Sequence, residues 1–136
     1  DEEEKALRVL GTRLPEARPT LVRGDIAATT FDADFFDLVV GFSIFEHMKT
    51  LDGALSEIRR ILKPGGRFLA GIPRVDRLME TLFHLIGYHE IHHHHFSGVG
   101  ELTAAAARAG LRLQRRARFP LPVLPLYYNF LFVKDA

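Results

Sequence analysis

Along the chain, stretches whose apolar residues recur every three or four positions alternate with short runs that are apolar throughout. The first kind predicts amphipathic helices and the second predicts buried strands. Ala6, Leu7, Leu10 and Leu14 share one helical face over residues 2–14, and acids crowd the first turn, where the helix dipole favours them. Pro15 and Pro19 end that pattern, and residues 20–23 read as a short strand stopped by Gly24-Asp25. The run 36–42 is almost wholly apolar, as in a central parallel strand covered on both faces. Leu51, Leu55, Ile58 and Leu62 predict a helix over 50–62, which Lys63-Pro64-Gly65-Gly66 stops. A strand at 67–72 and a helix at 75–86 follow, the latter carried by Leu78, Leu82, Phe83 and Ile86.

The last third begins with a helix opening at Ser97 or Gly98, rich in strong helix formers, with Gly110 placed for a left-handed C-terminal residue. Leu111, Leu113 and Phe119 frame a basic strand, and residues 127–133 form an aromatic one. Alternating strands and helices closed by two consecutive strands predict an α/β fold with a mainly parallel sheet and a hairpin-like pair at its end. No repeat or linker divides the 136 residues, so one domain is expected.

Composition removes several function classes. Eighteen basic against 17 acidic residues argue against a nucleic-acid partner. The stretch 119–133 is broken by Pro120, Pro122 and Pro125 and is too short for a spanning helix, so no transmembrane segment is expected. The acidic start at Asp1 is the opposite of a signal-peptide n-region, and the absence of cysteine fits a reducing compartment; a cytoplasmic location is expected. Nothing in the sequence sets an oligomeric state.

Candidate chemistry begins at Gly24-Asp25, where a carboxylate beyond a strand end can accept a hydrogen bond from an amine, although Gly-Asp is also an ordinary turn. Glu46-His47 follows the run 36–42; the imidazole could act as a general base, and a pair that only stabilises the loop is the alternative. His89, His92, His93, His94 and His95 make five of the 7 histidines. His89-Glu90-Ile91-His92-His93 matches a zinc-peptidase pattern, but that pattern must lie on a helix, and Gly87 and Phe96-Ser97 leave little room for one. No catalytic metal is expected; adventitious nickel or zinc binding by the cluster is favoured over it. Gly98-Val99-Gly100 follows no strand and reads as a helix entrance, while Arg112, Arg115, Arg116 and Arg118 read as a solvated edge.

Four stretches, in order and spacing, resemble a class I S-adenosylmethionine-dependent methyltransferase of the broad small-molecule group. They are Val22-Arg23-Gly24-Asp25-Ile26, then Phe36-Asp37-Leu38-Val39-Val40 leading to Phe45-Glu46-His47-Met48, then residues 54–67 with Leu62-Lys63-Pro64-Gly65-Gly66, and last His95-Phe96-Ser97 leading to Ala109-Gly110-Leu111. The resemblance implies a Rossmann-like three-layer sandwich with an antiparallel last strand and strand order 3-2-1-4-5-7-6. It further implies S-adenosyl-L-methionine as cofactor, with Asp25 on the adenine amino group, Ile26 on the adenine ring, Phe42 and Ser43 along the methionine portion and Asp1 on the ribose. A small-molecule, lipid or sugar acceptor is implied, with His47 as catalytic candidate. Glu46, Tyr88, His92, His95 and Phe96 are the candidates on the substrate side, a solvated polar loop being the alternative for the segment around the histidines.

The family's glycine-rich loop and its first two strands have no counterpart in these residues. The expectation is therefore an N-terminally truncated domain, a four-stranded remainder with an uncovered apolar edge at Val39 and Val40, and weak or absent cofactor binding by the isolated chain. A noncatalytic remnant or binding module of the same fold is the alternative.

Overall fold

The computed structural model describes residues 20, 22–74, 97–120 and 125–136. The helices expected over 2–14 and 75–86, and the histidine cluster, lie outside the described residues. Strand β1 (Phe36–Phe42) runs into a 3-10 turn (Phe45–His47), and helix α1 (Asp52–Ile61) leads into strand β2 (Leu62–Pro73). Helix α2 (Val99–Arg108) is followed by strands β3 (Leu111–Pro120) and β4 (Pro125–Lys134).

The four strands form one sheet in the order β1-β2-β4-β3. β1 and β2 are parallel, and β4 inserts antiparallel between β2 and β3. The order is the 4-5-7-6 part of the expected one, with the expected antiparallel last strand, and the sheet is a mixed one. Three strands point the same way, but the reversed strand lies between two of them, so the β2–β4 and β3–β4 ladders are both antiparallel.

Period-two alternation gives each sheet face a distinct character. Phe68, Ala70 and Ile72 of β2 and Phe130 and Phe132 of β4 are buried, as are Leu55 and Ile58 of α1 and Leu102, Ala105 and Ala106 of α2. Phe68 meets Phe45 edge-on at 5.5 Å between ring centroids and stacks with Phe132 at 5.8 Å. Each such buried side chain contributes about 1.5–3 kcal/mol of transfer free energy. On the opposite face of β1, Leu38, Val40 and Phe42 are 48%, 51% and 43% exposed.

Among the described residues β1 is the edge strand of the sheet, and one of its faces is open although its composition reads as covered on both. Because side chains alternate, Val40 stands out from the edge while Val39 is half-buried against the core. Among the described residues the sheet has four strands with β1 at its open edge, as expected; of the pair Val39 and Val40 only the second is exposed, with Leu38 and Phe42 on the same face.

No strand forms at residues 20 and 22–23. A strand needs a ladder partner, and among the described residues none lies beside this segment; it passes into a turn closed by Ala28 N–H on the Asp25 carbonyl at 3.1 Å. Nor is the glycine stop after α1 a separate loop. Leu62 already pairs with Phe36, and the register then jumps to Leu38 with Arg67, so residues 63–66 bulge out within β2.

α2 starts where Glu101 reaches back to accept the Gly98 N–H at 3.0 Å, and it ends at Gly110, whose φ of +79° is the left-handed conformation expected there. A half-buried ion pair locks the far end of the sheet. Lys134 Nζ donates to Asp34 Oδ1 at 2.6 Å and to the Leu62 carbonyl at 2.7 Å, tying the last strand to the entry of the first.

Candidate cofactor and acceptor site

Asp25 sits in a loop that it helps to shape. Its Oδ1 accepts the Ala27 N–H at 2.8 Å, a local side-chain turn that holds the carboxylate beside the backbone. A carboxylate offers two oxygens, so this bond leaves Oδ2 as an acceptor for a further donor. Ile26, half-buried, packs against the hydrophobic core. Asp25 and Ile26 line a cavity of about 320 Å³, together with Val22, Ala28, Thr30 and Phe31. Arg23 and Thr29 also line it; an accepting carboxylate beside the apolar Ile26 suits a flat ring bearing an exocyclic amine, as adenine does.

The loop is fastened from α1 by a side chain that motif reading passes over. The Glu57 carboxylate accepts the Thr29 N–H at 3.0 Å and the Thr29 Oγ1–H at 2.6 Å. On the same helix Arg60 donates to it through Nε and Nη2, both at 2.7 Å, and through Nη2 to the Phe31 carbonyl at 2.6 Å. Arg60 first, and then Thr29, hold the Glu57 carboxyl down to about 2. Only the Glu-x-x-Arg spacing on a helix hints at the pair in the sequence.

A second cluster forms where β1 and β2 end. Ser43 has φ of +53°, a left-handed backbone that costs a non-glycine residue on the order of 1 kcal/mol. It is held there by its N–H on the Gly71 carbonyl at 3.1 Å and by its Oγ against Tyr127 Oη at 2.8 Å. Phe42 and Tyr127 rings lie 6.4 Å apart. A Cβ on Gly71 would collide with the Phe42 ring and would stand 2.6 Å from Tyr127 Cε1, so only glycine lets both rings close over this strand. Gly71 and Tyr127 are further members that motif reading missed. An isolated glycine within a strand was the available signal.

Glu46 and His47 stand on the 3-10 turn that follows. Glu46 is 2% exposed and its Oε2 meets no hydrogen-bond partner among the described residues; the His47 side chain is 51% exposed, with Nε2 3.9 Å from Glu46 Oε1. Ser97 closes the turn from the other side, through its N–H on the Glu46 carbonyl at 3.3 Å and its Oγ–H on the Met48 carbonyl at 2.7 Å. Of the pair, His47 is the exposed member. The structure brings Phe42, Ser43, Glu46 and His47 together at one sheet end, and none of the four lines the cavity beside Asp25. Asp1, Tyr88, His92, His95 and Phe96 lie outside the described residues.

Residues 1–70 match the model of a methyltransferase domain. Over 49 residues the chain is 41% identical to the sterol 24-C-methyltransferase of Debaryomyces hansenii, a match covering 36% of this chain and 13% of that protein. The sterol 24-C-methyltransferase of Yarrowia lipolytica is 43% identical over 49 residues, or 36% of this chain and 13% of that one. The chain thus spans only a small part of these relatives. Among solved structures, the S-adenosylmethionine-dependent methyltransferase of Mesorhizobium loti superposes with a TM-score of 0.71 at 16% identity, covering 96% of this chain and 76% of that one. A methyltransferase of the same cofactor dependence from Thermotoga maritima gives 0.67 at 15% identity, over 92% and 69%. At such identities the superpositions speak for the fold alone. With half of its residues matching the domain model, the chain belongs to the class I S-adenosylmethionine-dependent methyltransferases.

Proposed function

We propose that this chain supplies the adenine-binding loop and the acceptor side of a methyltransferase that acts on a small-molecule, lipid or sugar acceptor by in-line displacement. The observation that carries the reading is the cavity beside Asp25 and Ile26, whose loop Glu57 and Arg60 pin to α1. S-adenosyl-L-methionine, when bound, supplies the methyl group on a sulfonium that needs little beyond alignment with a nucleophile. Asp25 Oδ2 accepts the adenine amine, and Ile26 packs on the ring. Phe42 and Ser43 line the path toward the methionine portion. His47, half-exposed at the same sheet end, takes the proton that an oxygen or nitrogen acceptor gives up.

The similarity to sterol 24-C-methyltransferases supports including a lipid among the acceptor classes to be assayed. No Gly-x-Gly-x-Gly run occurs in the 136 residues, so the chain holds only part of a cofactor site. Calorimetric titration of the chain with S-adenosyl-L-methionine is expected to give binding weaker than about 0.1 mM. A micromolar constant would show that these residues hold the whole cofactor unaided, and would overturn the division of the site.

A further inference from the structure

Packing accounts for the ring of Tyr127 but not for its hydroxyl. The missing Cβ of Gly71 lets the ring close over β2, 6.4 Å from the Phe42 ring, and a phenylalanine would fill that place equally well. The hydroxyl instead meets Ser43 Oγ at 2.8 Å, in a pair open to solvent. A neutral hydrogen bond between exposed groups adds little to stability, because water replaces it when it breaks. Topology brings this pair to the end of the sheet where ligands of open α/β folds bind, beyond the carboxyl ends of the parallel strands. Ser43 follows the last residue of β1, and Tyr127 faces Pro73, the last residue of β2, because β4 runs antiparallel and begins where β2 stops.

Ser43 is set there with φ of +53°, and its N–H is tied to the Gly71 carbonyl at 3.1 Å. Backbone strain of this kind persists where neighbours over-determine it, and Tyr127 is the neighbour that fixes the side chain. Two hydroxyls that share one hydrogen bond hold two protons and use one between them, so the pair keeps one O–H for a ligand. No other hydrogen bond reaches either oxygen among the described residues. Ser43 is the exposed member and Tyr127 the half-buried one, so the hydroxyl turned to solvent is that of Ser43. A donor so placed suits a carboxylate, which a hydroxyl bonds more strongly than a neutral oxygen. We infer that Tyr127 is a positioning residue for the cofactor: it donates to Ser43 Oγ, and so aims the Ser43 O–H at the carboxylate on the amino-acid end of S-adenosyl-L-methionine. The inference rests on the methyltransferase reading, in which Ser43 lies along the methionine portion, and adds the strand residue that orients it.

The test compares two ligands by ligand-observed NMR titration of the chain: S-adenosylhomocysteine, and 5′-methylthioadenosine, which keeps the nucleoside and the sulfur but has no carboxylate. S-adenosylhomocysteine is expected to bind about five-fold more tightly. Tyr127→Phe should remove most of that preference while leaving the methylthioadenosine constant within about two-fold of the parent. The phenylalanine ring keeps the packing over Gly71, so a merely structural role would leave the ratio of the two constants alone. Ser43→Ala should lose the same preference, and the double variant should lose no more than either single one, because the two hydroxyls act as one donor. A parent that binds both ligands alike, an unchanged ratio in Tyr127→Phe, or equal weakening of both ligands in that variant would overturn the assignment. Asp25→Ala should weaken both ligands alike and keep their ratio. Methylthioadenosine binding indifferent to Asp25→Ala would count against the adenine loop instead, so the two placements can fail independently.

Discussion

Gly71→Val is expected to destabilise the chain by about 1–2 kcal/mol and to break the contact between Ser43 and Tyr127. A Cβ at position 71 would overlap the Phe42 ring and crowd Tyr127 from the adjacent strand, and both neighbours are fixed by ladders on either side. Overpacking costs about 1–3 kcal/mol, and because the Phe42 ring is 43% exposed and can swing toward solvent the loss falls at the lower end of that range. Displacing Tyr127 also removes the hydroxyl that meets Ser43 Oγ at 2.8 Å, leaving the left-handed Ser43 held by its backbone bond alone. Chemical denaturation reads the stability loss, and the Tyr127 ring resonances read the displacement. A variant within about 0.5 kcal/mol of the parent, with those resonances unmoved, would show that the rings have room to part.

Glu57→Gln should release the loop that carries Asp25. The carboxylate accepts two bonds from Thr29 and two from Arg60, and the amide can keep only some of them, because its nitrogen donates where acceptors are needed. A cost of about 1–3 kcal/mol is expected, together with faster hydrogen exchange at the Thr29 amide. The effect depends on pH with a definite sign. The carboxyl is held at about 2 in the folded chain against an ordinary value of 4.5. Its contribution is therefore fully present above pH 4.5 and is lost as pH falls toward 2. The stability gap between parent and variant should be constant near neutrality and should close across that interval. A gap that stays open at pH 2, or is absent at pH 7, would show that the charge on Glu57 does not hold the loop.

What the sequence revealed follows from the range of the interactions concerned. The helical face of Leu55 and Ile58, the left-handed stop at Gly110 and the aromatic last strand are local patterns, and each is found where periodicity or turn chemistry places it. The strand expected at 20–23 fails because a strand is a relation between two segments, and a branched apolar run says nothing about whether a neighbour is there. The same limit applies to β1, whose seven residues read as buried on both faces while Leu38, Val40 and Phe42 stand exposed.

The site divides in the same way. Asp25, Ser43 and His47 are legible as candidates because they belong to ordered motifs. Tyr127 meets Ser43 from 84 residues away, and Thr29 meets Glu57 from 28 away, and no spacing rule reaches across such distances. Arg116 shows the complementary case. Its neighbours in sequence suggest a solvated edge, and it is indeed exposed on β3 at the sheet's edge; only the register of β3 against β4 adds its place over Tyr128 and Phe130.

The most direct test of Asp25 as the adenine acceptor is saturation-transfer NMR on the chain with millimolar S-adenosylhomocysteine, which detects contacts too weak for calorimetry. Saturation is expected at the adenine protons above that at the homocysteine methylenes, and it should vanish in Asp25→Ala while the spectrum of the folded chain is kept. Equal transfer to both ends of the ligand, or adenine transfer that survives Asp25→Ala, would contradict the placement of the cofactor's adenine at this loop.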